Sequence, residues 1–313
     1  MSKLMCYVGL HPMGGSSTEN GLAQVEKPHG GGIAVYEVAP DGYRLEYRGA
    51  VPCPVRAGAL YYASETHILY AVDKKKTGGR GELASGSAVY AFRINPETGM
   101  PEYLNHVPSM GPNPTDVVAL PEKQVLYTAS HGGFEHVEKI VQTGDGTWGL
   151  TYEYDDAATA QYTLNPDGSI GAVADVALHR DRGQDPNRSP QHGGHAQSSG
   201  HAHCVVVDPS GKLLLVGDKG SDRIYVCRIG ERLSVAFIHQ FGPTAARGTS
   251  RLTRSPGGCT SRWNSARSWR PLTLTSKPVN CAKWTAFPPL RPALQAGTSR
   301  QRCASIRRAG TSM

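Results

Sequence analysis

Between Gly200 and Asp218 the chain reads GHAHCVVVDPSGKLLLVGD, which sets His201 and His203 two residues apart at the head of a run of β-formers. A neutral imidazole can take a proton from water, an imidazolium can hold an oxyanion, and either ring can bind a metal. If the strand has already begun, residues i and i+2 share a face and both rings point the same way. The plainer alternative is a pair of histidines on the solvent lip of a buried strand. His192 and His195 stand close by and raise the question of a metal site. The residues around them are rich in Gly and Ser and no acid stands at a fixed spacing, whereas zinc needs closely defined ligands, so no metal is assigned. Downstream, DKGSDRI offers Asp218, Asp222 and Arg223. The two aspartates either face the same site or cap the turn before the next strand. PHGGG and HPMGG match phosphate loops only in composition, with no GK[ST] following, and read as turns.

These side chains need a scaffold, and the sequence supplies one in strands. GIAVYEV, HILYAVD, AVYAFRI, DVVAL, QVLYTAS, CVVVD, KLLLVGD and RIYVCRI are short runs rich in Val, Ile, Leu and Tyr, the composition of β-strands. No helical periodicity is sustained. APDG (39–42), NPETG (95–99), NPDG (165–168) and DPSG (208–211) separate the runs. Each reads as a hairpin turn, since Pro presets φ and Gly accepts positive φ. DVVALPEKQVLYTAS and CVVVDPSGKLLLVGD superimpose on Pro121 and Pro209, and ALYYASETHILYAVD is a third copy. The 88 residues between the two prolines read as two periods of about 44. Such a period, with four strands per unit, predicts an all-β propeller of four-stranded antiparallel blades: inner strand, turn, second strand, outer hairpin. The innermost strand starts beside the central channel, which puts Thr115 and Asp116, then His203 and Cys204, at its mouth.

The stretch GHAHCVVVDPSGKLLLVGDKGSDRIYVCRI, with YVGLHP and GGGIAVYEVAPDG near the start and AVYAFRINPETGMPEYLNHVPSMGPNPTDVVALPE between them, resembles the lactonase-type seven-bladed propellers. That family includes the propeller form of 6-phosphogluconolactonase and, more distantly, the carboxymuconate cyclases. The resemblance covers residues 1–243. It implies hydrolysis of a small-molecule sugar lactone, with 6-phosphogluconolactone leading, by a cytoplasmic monomer that uses no cofactor and no metal. It implies catalytic roles for His203 and His201, and substrate contacts from Asp116, Asp218, Asp222 and Arg223. The alternative is a propeller used only as a binding scaffold. Two places depart from the family: SHGGFEHVEKIVQTGDGTWGLTYEYDD stands where a compact turn and strand are expected, and the connection 179–199 is long and polar.

Charge divides the chain in two. Residues 1–243 hold 20 Lys and Arg against 26 Asp and Glu, while residues 244–313 hold 13 Lys and Arg and no acid. The first part is therefore no candidate for specific nucleic-acid binding, and no apolar run reaches the length of a membrane span. The seven cysteines show no CxxC spacing and read as reduced thiols. The tail also has no Tyr and no His, yet carries Trp263, Trp269 and Trp284 and has no strand patterning. It reads either as a basic arm that binds nucleic acid or as a shifted frame, and the scattered Trp, Cys and Pro, which such an arm does not need, favour the shifted frame. Taken two bases on, 244–260 admits R-R-P-R-H-V-A-F-D-P-F-A-R-R-L-Y, with its D-P where the next blade is due, and the single Trp codon at Trp263 forces a Glu. On this reading about five blades remain in frame and residues 244–313 form a basic tail of low order that leaves the ring incomplete.

Overall fold

A computed structural model describes residues 4–11, 31–76, 86–134, 136–184 and 196–242, and the backbone alone of 250–255, 258–265, 268–274 and 303–305. The described elements are strands apart from short 3₁₀ turns, and no helix among them is long and apolar enough to cross a membrane.

The first sheet takes β1 (Leu4–Leu10), β2 (Gly32–Val38) and β3 (Leu45–Val51); the second takes β4 (Ala57–Ala63), β5 (Ile68–Asp73), β6 (Ala88–Ile94) and β7 (Pro101–Pro108). The third has β8 (Pro114–Leu120) and β9 (Val125–Ser130), then a separate two-stranded ribbon of β10 (His136–Gln142) and β11 (Trp148–Tyr154), then β12 (Ala157–Leu164) and β13 (Ile170–His179). The fourth runs β14 (Ala202–Val207), β15 (Leu213–Asp218), β16 (Arg223–Arg228) and β17 (Ser234–Gln240). All pairings are antiparallel and, in the second, third and fourth sheets, follow chain order outward from the inner strand. The inner strands β4, β8 and β14 pack beside one another in succession.

The apolar runs explain this stacking. ILYAVD of β5 is buried along its whole length, because a second strand has a neighbouring blade on each face. The outermost strands are exposed, as in β3 and β17. The core therefore lies in layers between blades: Met5, Tyr7, Ile33 and Phe92 between the first and second, Tyr70, Val72, Val117 and Tyr162 between the second and third, and Tyr127, Val205, Leu214 and Tyr225 between the third and fourth.

Three expectations change. The 88 residues from Pro121 to Pro209 span one blade step and not two, because β8 and β14 belong to adjacent sheets. The β10–β11 ribbon and the connection after β13 lengthen that single step. Among the described residues, the span read as about five blades accordingly holds four blade sheets beside the two-stranded ribbon. The tail, despite its lack of patterning, supplies backbone strands: β18 (Ser250–Ser255), β19 (Gly258–Ser265) and β20 (Ser268–Leu274) form a three-stranded sheet, and β21 (Cys303–Ser305) pairs with β1. Strand pairing uses main-chain groups that every residue but proline supplies in full. Finally, Cys6 is disulfide-bonded, while Cys53, Cys204 and Cys227 are reduced.

Candidate active site at the channel mouth

The blades repeat a local device at their inner ends. In three of them the residue just after the second strand turns its backbone N–H to the carbonyl of the residue just before the first. Lys74 donates to Arg56 at 2.8 Å, His131 to Asn113 at 3.0 Å and Lys219 to His201 at 3.1 Å. In the same three blades the first strand carries a one-residue bulge, at Gly58, Thr115 and His203. Bulges re-aim a side chain at a sheet rim. His11 follows β1 at the matching place in the first blade.

His201 therefore lies just outside β14 and His203 at its bulge. His201 is fully buried. Its Nδ1 lies 2.8 Å from the His131 carbonyl oxygen, which can only accept, so Nδ1 carries the proton and the neutral ring keeps its lone pair on Nε2. The His131 ring stacks on His201 at 4.3 Å between centroids and meets His203 edge-on at 6.0 Å. Phe134 closes the cluster, 4.7 Å from His201 and 5.0 Å from His131.

Beneath the mouth lie two buried aspartates. Asp218 accepts the backbone N–H groups of His201 at 2.7 Å, Gly220 at 2.8 Å and Ser221 at 3.2 Å, and Asp73 accepts that of Arg56 at 2.9 Å. Burial pushes the Asp218 carboxyl up to about 6 in spite of those donors. Above them the field is positive. Burial first, and then the charges of Lys219 and the neighbouring histidines, hold His131 well below the usual imidazole range. Burial lowers Lys74. Burial and the Lys74 charge bring Lys219 down to about 8 and also lower His11, on which Arg56 acts in the same direction. Gly58 makes room for one of these cations: a Cβ there would stand 2.9 Å from the Lys74 Cβ.

The other sequence candidates have contacts of their own. Asp116 sits between blades and accepts the Val205 N–H at 3.2 Å. Asp222 is buried in the β15–β16 turn, at φ 54°, and its carbonyl accepts the Phe241 N–H. Arg223 pairs with Asp181 and donates to Gln240 Oε1 at 2.6 Å. His192 and His195 lie outside the described residues, as does most of PHGGG and HPMGG; among the described residues no three acidic, His or Cys side chains could hold a metal. Lys74, His131, Phe134 and Lys219 were not among the sequence candidates. Their signal was present in the aligned copies, which continue as LYAVDK, LYTASH and LLVGDK.

The profile of the family described as "Lactonase, 7-bladed beta-propeller" matches residues 21–248. A protein of Bacillus subtilis named 6-phosphogluconolactonase is 24% identical over 253 residues, which is 78% of this chain and 55% of that relative. The chain thus spans little more than half of that protein's length. Among solved structures, a putative 6-phosphogluconolactonase of Bacteroides fragilis superimposes with a TM-score of 0.59 at 18% identity, covering 89% of this chain and 69% of the other. The periplasmic gluconolactonase of Pseudomonas aeruginosa gives 0.57 at 20% identity, covering 89% and 70%.

Proposed function

This chain belongs to the lactonase family of seven-bladed β-propellers, and from that premise we propose that its channel mouth is built to hydrolyse a sugar lactone, with 6-phosphogluconolactone the leading substrate. The observation that carries the reading is a pinned histidine, His201, grouped with Lys219 of its own blade and with His131 of the blade before it.

Lactone opening needs a base for water and a donor for the oxyanion that forms at the carbonyl. His201 offers Nε2 as the base, because the His131 carbonyl holds its Nδ1 proton; Nε2 is itself buried, so the attacking water has to enter the cluster to meet it. His203, at the bulge on the same strand, either shares that role or returns the proton to the ring oxygen as the C–O bond breaks. Lys219, tied through its backbone to His201, offsets the developing negative charge. Arg56, Lys74 and His11 come from the first and second blades, and their charges suit an anionic group on the substrate, such as the phosphate of 6-phosphogluconolactone. Asp218 acts through His201, by fixing its backbone N–H. The scheme gives no role to Asp116 and Arg223, which meet the Val205 N–H, Asp181 and Gln240, nor to Asp222 in the β15–β16 turn. A pure binding scaffold has no need of a base held in one tautomer, so the geometry favours hydrolysis.

The test is acid release from 6-phosphogluconolactone and from glucono-1,5-lactone, corrected for spontaneous opening. His201→Asn should lower kcat by about 100-fold or more with little change in KM, and His203→Ala by less. Unchanged kcat in His201→Asn would remove the base from this proposal. Lys74→Met should raise KM for the phosphorylated lactone and leave the unphosphorylated one as it was.

A further inference from the structure

Lys219 is an amine held in place without a carboxylate paired to it among the described residues. It follows β15 directly, and the tie of its backbone N–H to the His201 carbonyl fixes where its stem begins. Its Nζ lies 5.3 Å from the centroid of Phe134, the ring that packs against His201. Lys75 and Lys76 are paired with Asp73 and Asp155. Among the described residues Lys219 has no such ion pair and rests on an aromatic face instead. An aromatic face attracts an ammonium more weakly than a carboxylate does. Burial and the Lys74 charge weaken the proton's hold further, to a value of about 8. A desolvated lysine beside another cation is the setting in which an amine becomes nucleophilic near neutral pH.

We propose that Lys219 is a covalent capture site for δ-lactones, modified by the class of compound that the mouth binds. The inference rests on the reading of this site as a lactone site. The neutral amine nitrogen bonds to the lactone carbonyl carbon. The ring C–O bond then breaks, leaving its electron pair on the ring oxygen, and the proton shed by nitrogen ends on that oxygen. The whole lactone is added as an amide, nothing leaves, and no oxidant or co-reactant is needed. The adduct removes one positive charge and fills the mouth, so excess substrate would shut the site progressively.

The experiment uses the full chain and glucono-1,5-lactone at about pH 7.5, followed by peptide mass spectrometry of every lysine. Lys219 should be acylated at least about 10-fold faster than the exposed Lys123 and Lys212, because far more of it is neutral at that pH. In Lys219→Arg the adduct at that position should vanish while the other lysines label as before. Labelling of Lys219 no faster than Lys123 overturns the proposal. Acid release measured on the same samples separates the two ideas. Hydrolysis without an adduct rejects capture and keeps the hydrolase, whereas an adduct with no hydrolysis, either here or in a chain whose frame is restored after residue 243, rejects the hydrolase and keeps capture.

Discussion

Asp218 shows what the site costs at the scale of one residue. It is fully buried, and its carboxyl is raised to about 6 from an ordinary 3.8. A raised carboxyl contributes stability that is fully present below about 3.8 and lost as pH rises through 6. Raising the carboxyl that far corresponds to roughly 3 kcal/mol at most, carried at neutral pH in order to keep a carboxylate under the histidine pair. His179 runs the other way. Burial, against Thr159 at 2.8 Å and the Tyr225 ring, lowers it to about 4, so its contribution is present above 6.5 and lost as pH falls through 4. Asp218→Asn should therefore stabilise the fold by about 1–3 kcal/mol at pH 7.5 and change it little at pH 4, where the wild-type carboxyl is already protonated. Urea denaturation at the two values checks the sign. Greater stability of the wild type at pH 7.5 would mean that the carboxylate is held by more than its three backbone donors.

At the scale of the element, a tyrosine recurs four residues before the mouth position: Tyr7 before His11, Tyr70 before Lys74 and Tyr127 before His131. All three are fully buried. Tyr7 donates its hydroxyl to Gly99 O at 2.8 Å and Tyr70 to Gly168 O at 2.9 Å, each reaching the outer turn of the next blade. Those turns are NPETG and NPDG, and their glycines have φ of 73° and 85°. A Cβ at Gly99 would stand 2.7 Å from Met5, and one at Gly168 2.6 Å from Ile68, so the glycine serves both the turn and the blade contact. The matching turn of the fourth blade, 229–233, has no such Pro and Gly pattern, and the Tyr127 hydroxyl is buried without a hydrogen bond among the described residues. Tyr70→Phe should thus destabilise by about 1–2 kcal/mol, because it leaves a turn carbonyl unmet, while Tyr127→Phe should be neutral or slightly stabilising. Equal losses in thermal or urea unfolding would show that the hydroxyl contacts are not what separates the two. The strands and turns were legible in the sequence because burial on both faces writes continuous apolar runs and positive φ selects glycine. His201 and His203 were legible because they stand at a strand head. The bulges at Gly58, Thr115 and His203, and the convergence of Lys74, His131 and Lys219, were not, because each blade supplies only one member and only the packing of blades brings them together.

At the scale of the whole molecule, the two charge regimes meet close to where the family match ends. The match stops at residue 248, and the sequence turns wholly basic after residue 243. The blades before that point bury apolar layers on both faces. The next sheet, β18 to β20, has the strands SRLTRS, GCTSRWNS and SWRPLTL, rich in arginine and serine, whereas the second strands ILYAVD and LLLVGD are almost wholly apolar. A blade of that composition cannot bury its faces as β5 and β15 do without desolvating charge. The proposal of a shifted frame accounts for this and predicts that the gene, read two bases on from about codon 243, encodes an apolar strand pair around a D-P and a Glu at the Trp263–Asn264 junction. It further predicts that the chain as written hydrolyses 6-phosphogluconolactone weakly. The retained histidines supply a base, but catalysis asks that groups from several blades be held to roughly half an ångström, which an unfilled blade next to β14 would not do. A restored chain should exceed it by about 100-fold or more in a coupled assay corrected for spontaneous opening, and His203→Ala in the restored chain should lower that gain. The tail should also have an affinity of its own. Its uncompensated cations should bind polyanions with a steep salt dependence, and a version ending at Pro243 should not. Full activity in the unrestored chain would show that the basic segment fills the place of a blade after all, and would leave its charge to be explained by a partner.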